Sequence, residues 1–362
     1  RVTRLFLPGS RPYVTRRLVI SRFFRHPPAF FVLTSSHHRN TAAFLAGLFL
    51  TALLAGCGTP PIVPSPSSIP ALHEDDFTSF DQHHLPYQCW LPSGKTKLVV
   101  IGFHGISGAS NDMENLGLHL SGNNSGTAVY APDIRGQGND PIEKNRGDIR
   151  APSDWIGDAH TFTDLVRQKH PGVPVVWCGE SMGALIVLHA WTSTAGQPPC
   201  DALILSSPVS STGDDITAFR LVLLRVAATI MPRYRVSLET LAGVDNIQMT
   251  RDEVHEEQTT TNPWHVSGFT LRLLRYLERM ISNLSLSAQT INIPTLILHG
   301  GRDIFSDSTE VERFAKNFPT EAVVQRRFYP ESYHLLFYDH QRDQVLADVS
   351  SWLDQLKLPS PK

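Results

Sequence analysis

Gly179-Glu180-Ser181-Met182-Gly183 sets a serine between two glycines, the G-x-S-x-G spacing of an activated serine nucleophile. With glycine and serine each at roughly 7% of residues, about one chain of this length in ten carries the pattern by chance. The flanking residues decide. PVVWC before it is a continuous apolar run, and ALIVLHAW after it reads as a helix, so Ser181 falls at a strand–turn–helix junction. Such a turn has no room for side chains on either side of the serine, and glycine meets that need. The seryl oxygen then stands at the top of a sheet, and the N–H of Met182 faces a developing oxyanion.

A serine hydroxyl attacks when a base takes its proton, and the base needs a carboxylate to orient it. Asp303 follows the run PTLIL in His299-Gly300-Gly301-Arg302-Asp303, and His334 follows RRFY in Pro330-Glu331-Ser332-Tyr333-His334. Both fall in loops at strand C-termini, in the order serine, acid, base. One helix and one strand separate them, which sets the two loops side by side. The alternatives fit less well. His340 falls at or inside the final helix, His189 on the helix after the serine, and Asp307 at a helix start. Glu331 is expected to bond within its own loop. A second oxyanion donor is expected from the loop after KLVVIGF. There Gly105 permits close backbone approach, Ile106 supplies the N–H, and His104 shapes the loop.

These residues require a sheet to carry them. Strands are predicted at 85–91, 97–105, 127–133, 174–180, 201–208, 294–301 and 323–330, with helices at 112–121, 154–169, 182–194, 308–317 and 341–357. The central strands are continuously apolar, as when both faces of a parallel sheet are covered. The alternation defines a doubly wound α/β fold. Residues 209–290 contain no convincing strand and carry helical stretches at 218–230 and 268–281, so they read as a helical cap over the ligand-binding edge. The expected organisation is a core in two parts, 76–208 and 291–362, split by that cap.

With His104-Gly105, Pro132-Asp133-Ile134-Arg135-Gly136-Gln137-Gly138, the serine pentapeptide, His299 to Asp303 and Tyr333-His334 assembled, the chain resembles the monoacylglycerol lipase and lysophospholipase (serine aminopeptidase-like) branch of the α/β-hydrolases over about residues 80–357. The resemblance implies a mostly parallel central sheet with helices on both faces and a helical cap. It implies catalysis by Ser181, Asp303 and His334, with Ile106 and Met182 forming the oxyanion hole and no metal or organic cofactor. The implied substrates are single-chain esters such as monoacylglycerols or lysophospholipids. Gln137 stands where the family usually has His, and Glu180 where many members have His before the serine. An aminopeptidase, thioesterase or amidase on the same residues is the alternative, and a non-catalytic lipoprotein of this fold is another. A peptidase would hold a free amine with acidic groups, for which Glu180 or the run Asp252, Glu253, Glu256, Glu257 is available.

Residues 41–56, TAAFLAGLFLTALLAG, are too short for a comfortable membrane span and suit a signal-peptide core. They end at Leu54-Ala55-Gly56-Cys57, which resembles the lipobox of bacterial lipoproteins. That implies cleavage before Cys57, lipid on Cys57, and a membrane anchor in the bacterial cell envelope. Gly58 in place of Asp implies the outer membrane. Residues 1–56 are thus read as extension and signal peptide, with a true start expected near residue 33. Residues 57–75 are read as the lipidated cysteine and a Pro/Ser-rich linker. The first 56 residues hold eight Arg and no acid, which leaves 24 basic against 34 acidic residues beyond them. A domain of that charge has no general attraction for nucleic acid. No zinc-type Cys/His spacing is present. Cys178 reads as a buried thiol, and Cys89 with Cys200 as a disulfide option.

Overall fold

A computed structural model describes residues 69–122, 126–193, 199–210, 218–237, 248–252, 262 and 264–358. Nine strands form one sheet: β1 (Ala71–Leu72), β2 (Asp76–Thr78), β3 (His84–Trp90), β4 (Leu98–Phe103), β5 (Thr127–Pro132), β6 (Val175–Glu180), β7 (Ala202–Ser206), β10 (Thr295–Gly300) and β11 (Val324–Tyr329). Their order is β1-β2-β3-β5-β4-β6-β7-β10-β11. From β5 to β11 every pairing is parallel, while β1 to β3 form an antiparallel edge joined to β5. The predicted strands are all present, with ends shifted by a residue or two. β1 and β2 were not anticipated, and β1 begins inside the segment read as linker. With two and three residues, they offer too little sequence for a period to register.

The apolar runs are explained by two covered faces. Val99, Ile101, Phe103, Val175, Trp177, Leu203 and Leu205 face one core, with α2 (Pro152–Lys169) and α3 (Met182–Thr192) over it. Val100, Val129, Val176, Cys178, Ile204 and Leu298 face the other, under α1 (Glu114–Gly122) and α8 (Arg342–Gln355). Strand order reverses around β4, because β5 lies on one side of it and β6 on the other. Open α/β sheets bind ligands at the C-terminal side of such a switch point, and Ser181 follows β6 there.

Between β7 and β10 the chain leaves the sheet. Its described parts are α4 (Ala218–Ile230), β8 (Arg235–Ser237), β9 (Gly268–Thr270), α5 (Leu271–Ser282) and α6 (Leu284–Ala288). The expectation of no strand here is corrected, since β8 and β9 pair antiparallel over three residues each. The insertion is tied to the core at Asp148, which accepts from the Thr270 hydroxyl and the Arg272 guanidinium. After β10 come α7 (Ser308–Ala315), β11 and α8. Cys89, Cys178 and Cys200 are free thiols, Cys89 exposed and the other two buried, so the disulfide option is not taken up.

Candidate active site

Ser181 links β6 to α3 with φ 53° and ψ −113°. A non-glycine residue with positive φ is strained and persists only where its surroundings hold it. Here its N–H donates to the Ser206 carbonyl at 2.9 Å, and its carbonyl accepts from Ala184 N–H at 3.1 Å. Gly183 is required by close approach, because a Cβ there would lie 2.0 Å from the Phe103 carbonyl oxygen. Met182 opens α3, so its N–H is one of the donors that a helix start leaves without an intrahelical partner.

The loop after β4 lies against this turn. A Cβ on Gly105 would sit 3.3 Å from Ser181 Cβ and 3.9 Å from its Oγ. Ile106 follows, half-buried against the core, in a turn closed by Gly108 N–H to Gly105 O at 3.3 Å. His104 holds the turn from beneath. Its Nδ1 donates to Gly105 O at 2.8 Å and its Nε2 accepts from Ile134 N–H at 2.9 Å. Both nitrogens are used, and burial lowers its pKa, which keeps the ring neutral. Gln137, where relatives of the resemblance carry His, accepts from Ser107 N–H at 3.1 Å through Oε1. The Ser107 hydroxyl donates to Val266 O at 2.6 Å, so the insertion reaches the same loop.

Asp303 and His334 meet from two neighbouring strand ends. His334 Nδ1 lies 2.8 Å from Asp303 Oδ2, and both side chains are buried. The other carboxylate oxygen, Oδ1, accepts from Phe305 N–H at 2.8 Å and Ser306 N–H at 3.3 Å. The carboxylate is thus fixed on both oxygens, and its bond to Nδ1 leaves the other ring nitrogen, Nε2, as the one available to take a proton. The Phe305 ring packs on the imidazole at 4.9 Å. The two loops are stitched by Arg302 N–H to Ser332 O at 2.9 Å. Gly300 allows this, since a Cβ there would lie 2.2 Å from the Tyr333 carbonyl oxygen.

Ser206 and Ser207, which the sequence reading passed over, join the two halves of the site. The Ser206 carbonyl holds the Ser181 N–H, and the Ser207 hydroxyl donates to the His334 carbonyl at 2.6 Å. Ser207 itself has φ 46°. A serine at a strand end carries no distinctive pattern, so only the strand's position next to β6 could have drawn notice.

The other candidates have other partners. His189 Nε2 donates to Met280 O at 2.9 Å and fastens α3 to α5. Asp307 caps α7 through Thr309 N–H at 2.7 Å. Glu331 pairs with Arg302 at the surface, and His340 is exposed. His299 is buried with neither nitrogen bonded to another protein atom, and burial lowers its pKa. Glu180 is fully buried on the Val176–Cys178 face, with no partner for either oxygen. Burial, reinforced by the Asp112 carboxyl, raises its pKa well above the ordinary range. Asp112 is itself pushed up to about 7, first by burial and then by Asp133, against the bond from Ala109 N–H. A fully buried Glu180 presents no accessible carboxylate to a substrate's ammonium group. Asp252 pairs with Arg342 at 2.8 Å. Glu253, Glu256, Glu257 and Cys57 lie outside the described residues.

A strained serine at the switch point of a parallel sheet, with a carboxylate–imidazole pair on the next strand ends, defines an α/β-hydrolase. Residues 94–341 match the family described as serine aminopeptidase, S33, and the chain belongs to that family. It is 24% identical to a monoacylglycerol lipase of Mycolicibacterium smegmatis, over 77% of this chain and 96% of that protein. It is 23% identical to the human monoglyceride lipase, over 80% and 93% of the two chains. Two solved structures share the fold at 20% identity. One is a soluble variant of Saccharomyces cerevisiae monoglyceride lipase with a substrate analog (TM-score 0.65, 81% of this chain and 99% of that one). The other is a carboxyl esterase of Bacillus coagulans with glycerol (TM-score 0.66, 78% and 98%).

Proposed function

We propose that this α/β-hydrolase cleaves the carboxylic ester of single-chain lipids, monoacylglycerols or lysophospholipids, through an acyl-enzyme on Ser181. Ester hydrolysis is the activity named for its relatives, whether lipase or esterase. Ser181 Oγ attacks the acyl carbonyl while His334 Nε2 takes its proton. Asp303 keeps Nδ1–H in place and stabilises the imidazolium. The N–H groups of Ile106 and Met182 receive the oxyanion. His334 returns the proton to the leaving alcohol, and water, activated by the same imidazole, releases the fatty acid. The observation that carries the reading is the 2.8 Å Asp303–His334 pair, which shares the Ser206–Ser207 strand end with the Ser181 turn.

The family description favours a peptidase as the second reading. Against it stands Glu180, the nearest acid in sequence to Ser181, which is fully buried and out of a substrate's reach. One experiment separates the two. The full chain is labelled with a fluorophosphonate and the modified peptide identified, and hydrolysis of monoacylglycerols, lysophospholipids and aminoacyl anilides is compared. Label on Ser181 with ester turnover is expected. A preference for anilides would establish the peptidase, and absence of label from folded protein would remove the serine mechanism.

We also infer, from residues 41–57 alone, that Cys57 carries lipid and holds the enzyme at the bacterial outer membrane. No described helix is long and apolar enough to cross a membrane. Lipid labelling of the wild-type chain, lost in Cys57→Ser, is the expected result. Unlipidated wild-type protein with the signal intact would remove the anchor.

A further inference from the structure

At the antiparallel end of the sheet, the β1–β2 turn and strands β2 and β3 bring two imidazoles and a carboxylate together. The N–H of His73 donates to Asp76 O at 2.8 Å and closes the turn between β1 and β2. β2 and β3 then pair with Thr78 opposite His84 and Asp76 opposite Pro86. Residues two apart on a strand share a face, and diagonal cross-strand neighbours are within side-chain reach. Asp76 and His84 are such a diagonal pair. Asp76 Oδ1 lies 3.4 Å from His84 Nδ1 and 3.9 Å from His73 Nε2. The two rings stack, with centroids 6.0 Å apart and planes 17° from parallel. One ligand atom from each residue lies within 4.8 Å of the others, and among the described residues this is the one group of three with that property.

We propose that His73 Nε2, Asp76 Oδ1 and His84 Nδ1 form a binding site for a divalent transition-metal cation of the zinc class. Two imidazoles and one carboxylate select zinc, cobalt or nickel over calcium and magnesium, which prefer all-oxygen sites. Tetrahedral bonds of about 2.0–2.2 Å put ligand atoms roughly 3.3–3.5 Å apart. The contacts to Asp76 are already near that spacing. All three side chains are substantially exposed, so they can close by small rotations without disturbing the core. His73 Nε2 also lies 3.0 Å from Thr78 Oγ1, and ligation exchanges that hydrogen bond for the metal. The fourth position faces solvent and takes water. Exposed Glu74 and Asp75 in the same turn add negative potential around an entering cation.

The bound ion ties the β1–β2 turn to β3, where the described chain begins. β3 is separated from β6 by β5 and β4, so the site acts on stability and not on the ester chemistry.

The test is zinc titration of the full-length chain near neutral pH by calorimetry, with His73→Ala, Asp76→Asn and His84→Ala beside it. Wild type is expected to bind one zinc per chain, with affinity falling at least tenfold in each variant. Cobalt is expected to give tetrahedral d–d absorption that His84→Ala lacks. Excess zinc should raise Tm by about 5 °C in wild type and leave His84→Ala unchanged. Each variant should hydrolyse ester at the wild-type rate without metal, which shows that it is folded. Zinc binding that survives His84→Ala unweakened, or wild type that takes up no stoichiometric zinc, overturns the site.

Discussion

Around Ser181, Asp303 and His334, backbone and side-chain groups hold one another in fixed positions. In the inserted segment, α4 turns Val222, Leu223, Val226 and Ile230 to solvent and meets α5 through a small apolar cluster at Leu224, Ala227 and Ala228 and an Arg225–Glu278 ion pair at 2.8 Å. The first region tolerates a positive φ at Ser107, Ser181 and Ser207 because neighbouring groups fix them. The second has few buried contacts per residue, the mark of a segment with lower local stability. The contrast teaches a division of labour. Under the proposed function the sheet edge would set the reaction and the insertion, which touches that edge where Ser107 bonds to Val266, would bear on which acyl groups reach it.

Ser181 is the nucleophile of the proposed mechanism, and its removal should break the edge outright. Ser181→Ala is expected to lower kcat on p-nitrophenyl esters by about 10⁴-fold or more, with an unchanged circular dichroism spectrum. Residual activity at a tenth of wild type would move the chemistry elsewhere. Asp303→Asn should cost about 10³–10⁴-fold, because the amide does not stabilise the imidazolium and favours the wrong tautomer. A near-normal rate in that variant would detach the 2.8 Å pair from catalysis.

Both residues were legible in the sequence because strand ends were legible. Continuous apolar runs marked β6 and β10, the run VVQRRFYP marked β11, and the loops after them could hold Ser181, Asp303 and His334 on a single edge. The supporting set was less legible. Ser206 acts through its backbone carbonyl, and Ser207 sits at positive φ with its hydroxyl on the His334 carbonyl, a placement that residue type alone does not encode. The β8–β9 pair was missed because three-residue strands have no period to detect. Glu180 is a different case. Strand alternation puts it on the face of Val176 and Cys178, so its burial could have been read before it was offered as an amine anchor.

The insertion should show itself in substrate range. Val266 and Phe269 are buried against the same core that Ile106 touches. Each methylene buried there contributes up to about 0.8 kcal/mol, or about fourfold in kcat/KM, until the pocket fills. A series of p-nitrophenyl esters from acetyl upward should therefore rise steeply and then level. A flat series would mean that the insertion does not line the acyl path.

Glu180 sharpens the comparison from inside the edge. Its folded pKa is raised, as is that of Asp112, so both bind protons more tightly when folded. Their stabilising effect is complete below the unfolded carboxylate range and is lost as pH rises toward the folded values, for Asp112 from about 4 to about 7. Wild-type stability should lose on the order of 1 kcal/mol per pH unit in that window relative to Glu180→Gln or Asp112→Asn. At about 2–4 °C per kcal/mol for a domain of this size, melting curves at several pH values resolve the difference. Parallel pH profiles in wild type and both variants would show that neither carboxyl is held neutral.

The smallest effect is expected on the outer face of α4. Val226 and Ile230 are 49% and 64% exposed, and neither belongs to the cluster that joins α4 to α5. Replacing them with serine removes apolar surface that already faces water, so little burial is lost on folding, and such surface changes stay within about 0.5 kcal/mol. A stability change of that size leaves the chain folded and its catalytic edge undisturbed. Val226→Ser with Ile230→Ser should thus hydrolyse a short, water-soluble ester within about twofold of wild type, while Ser181→Ala in the same assay is silent. A tenfold loss on the soluble ester would mean that this face of α4 reaches the reacting acyl group, and the separation between a reaction-setting edge and a substrate-facing insertion would fail at that point.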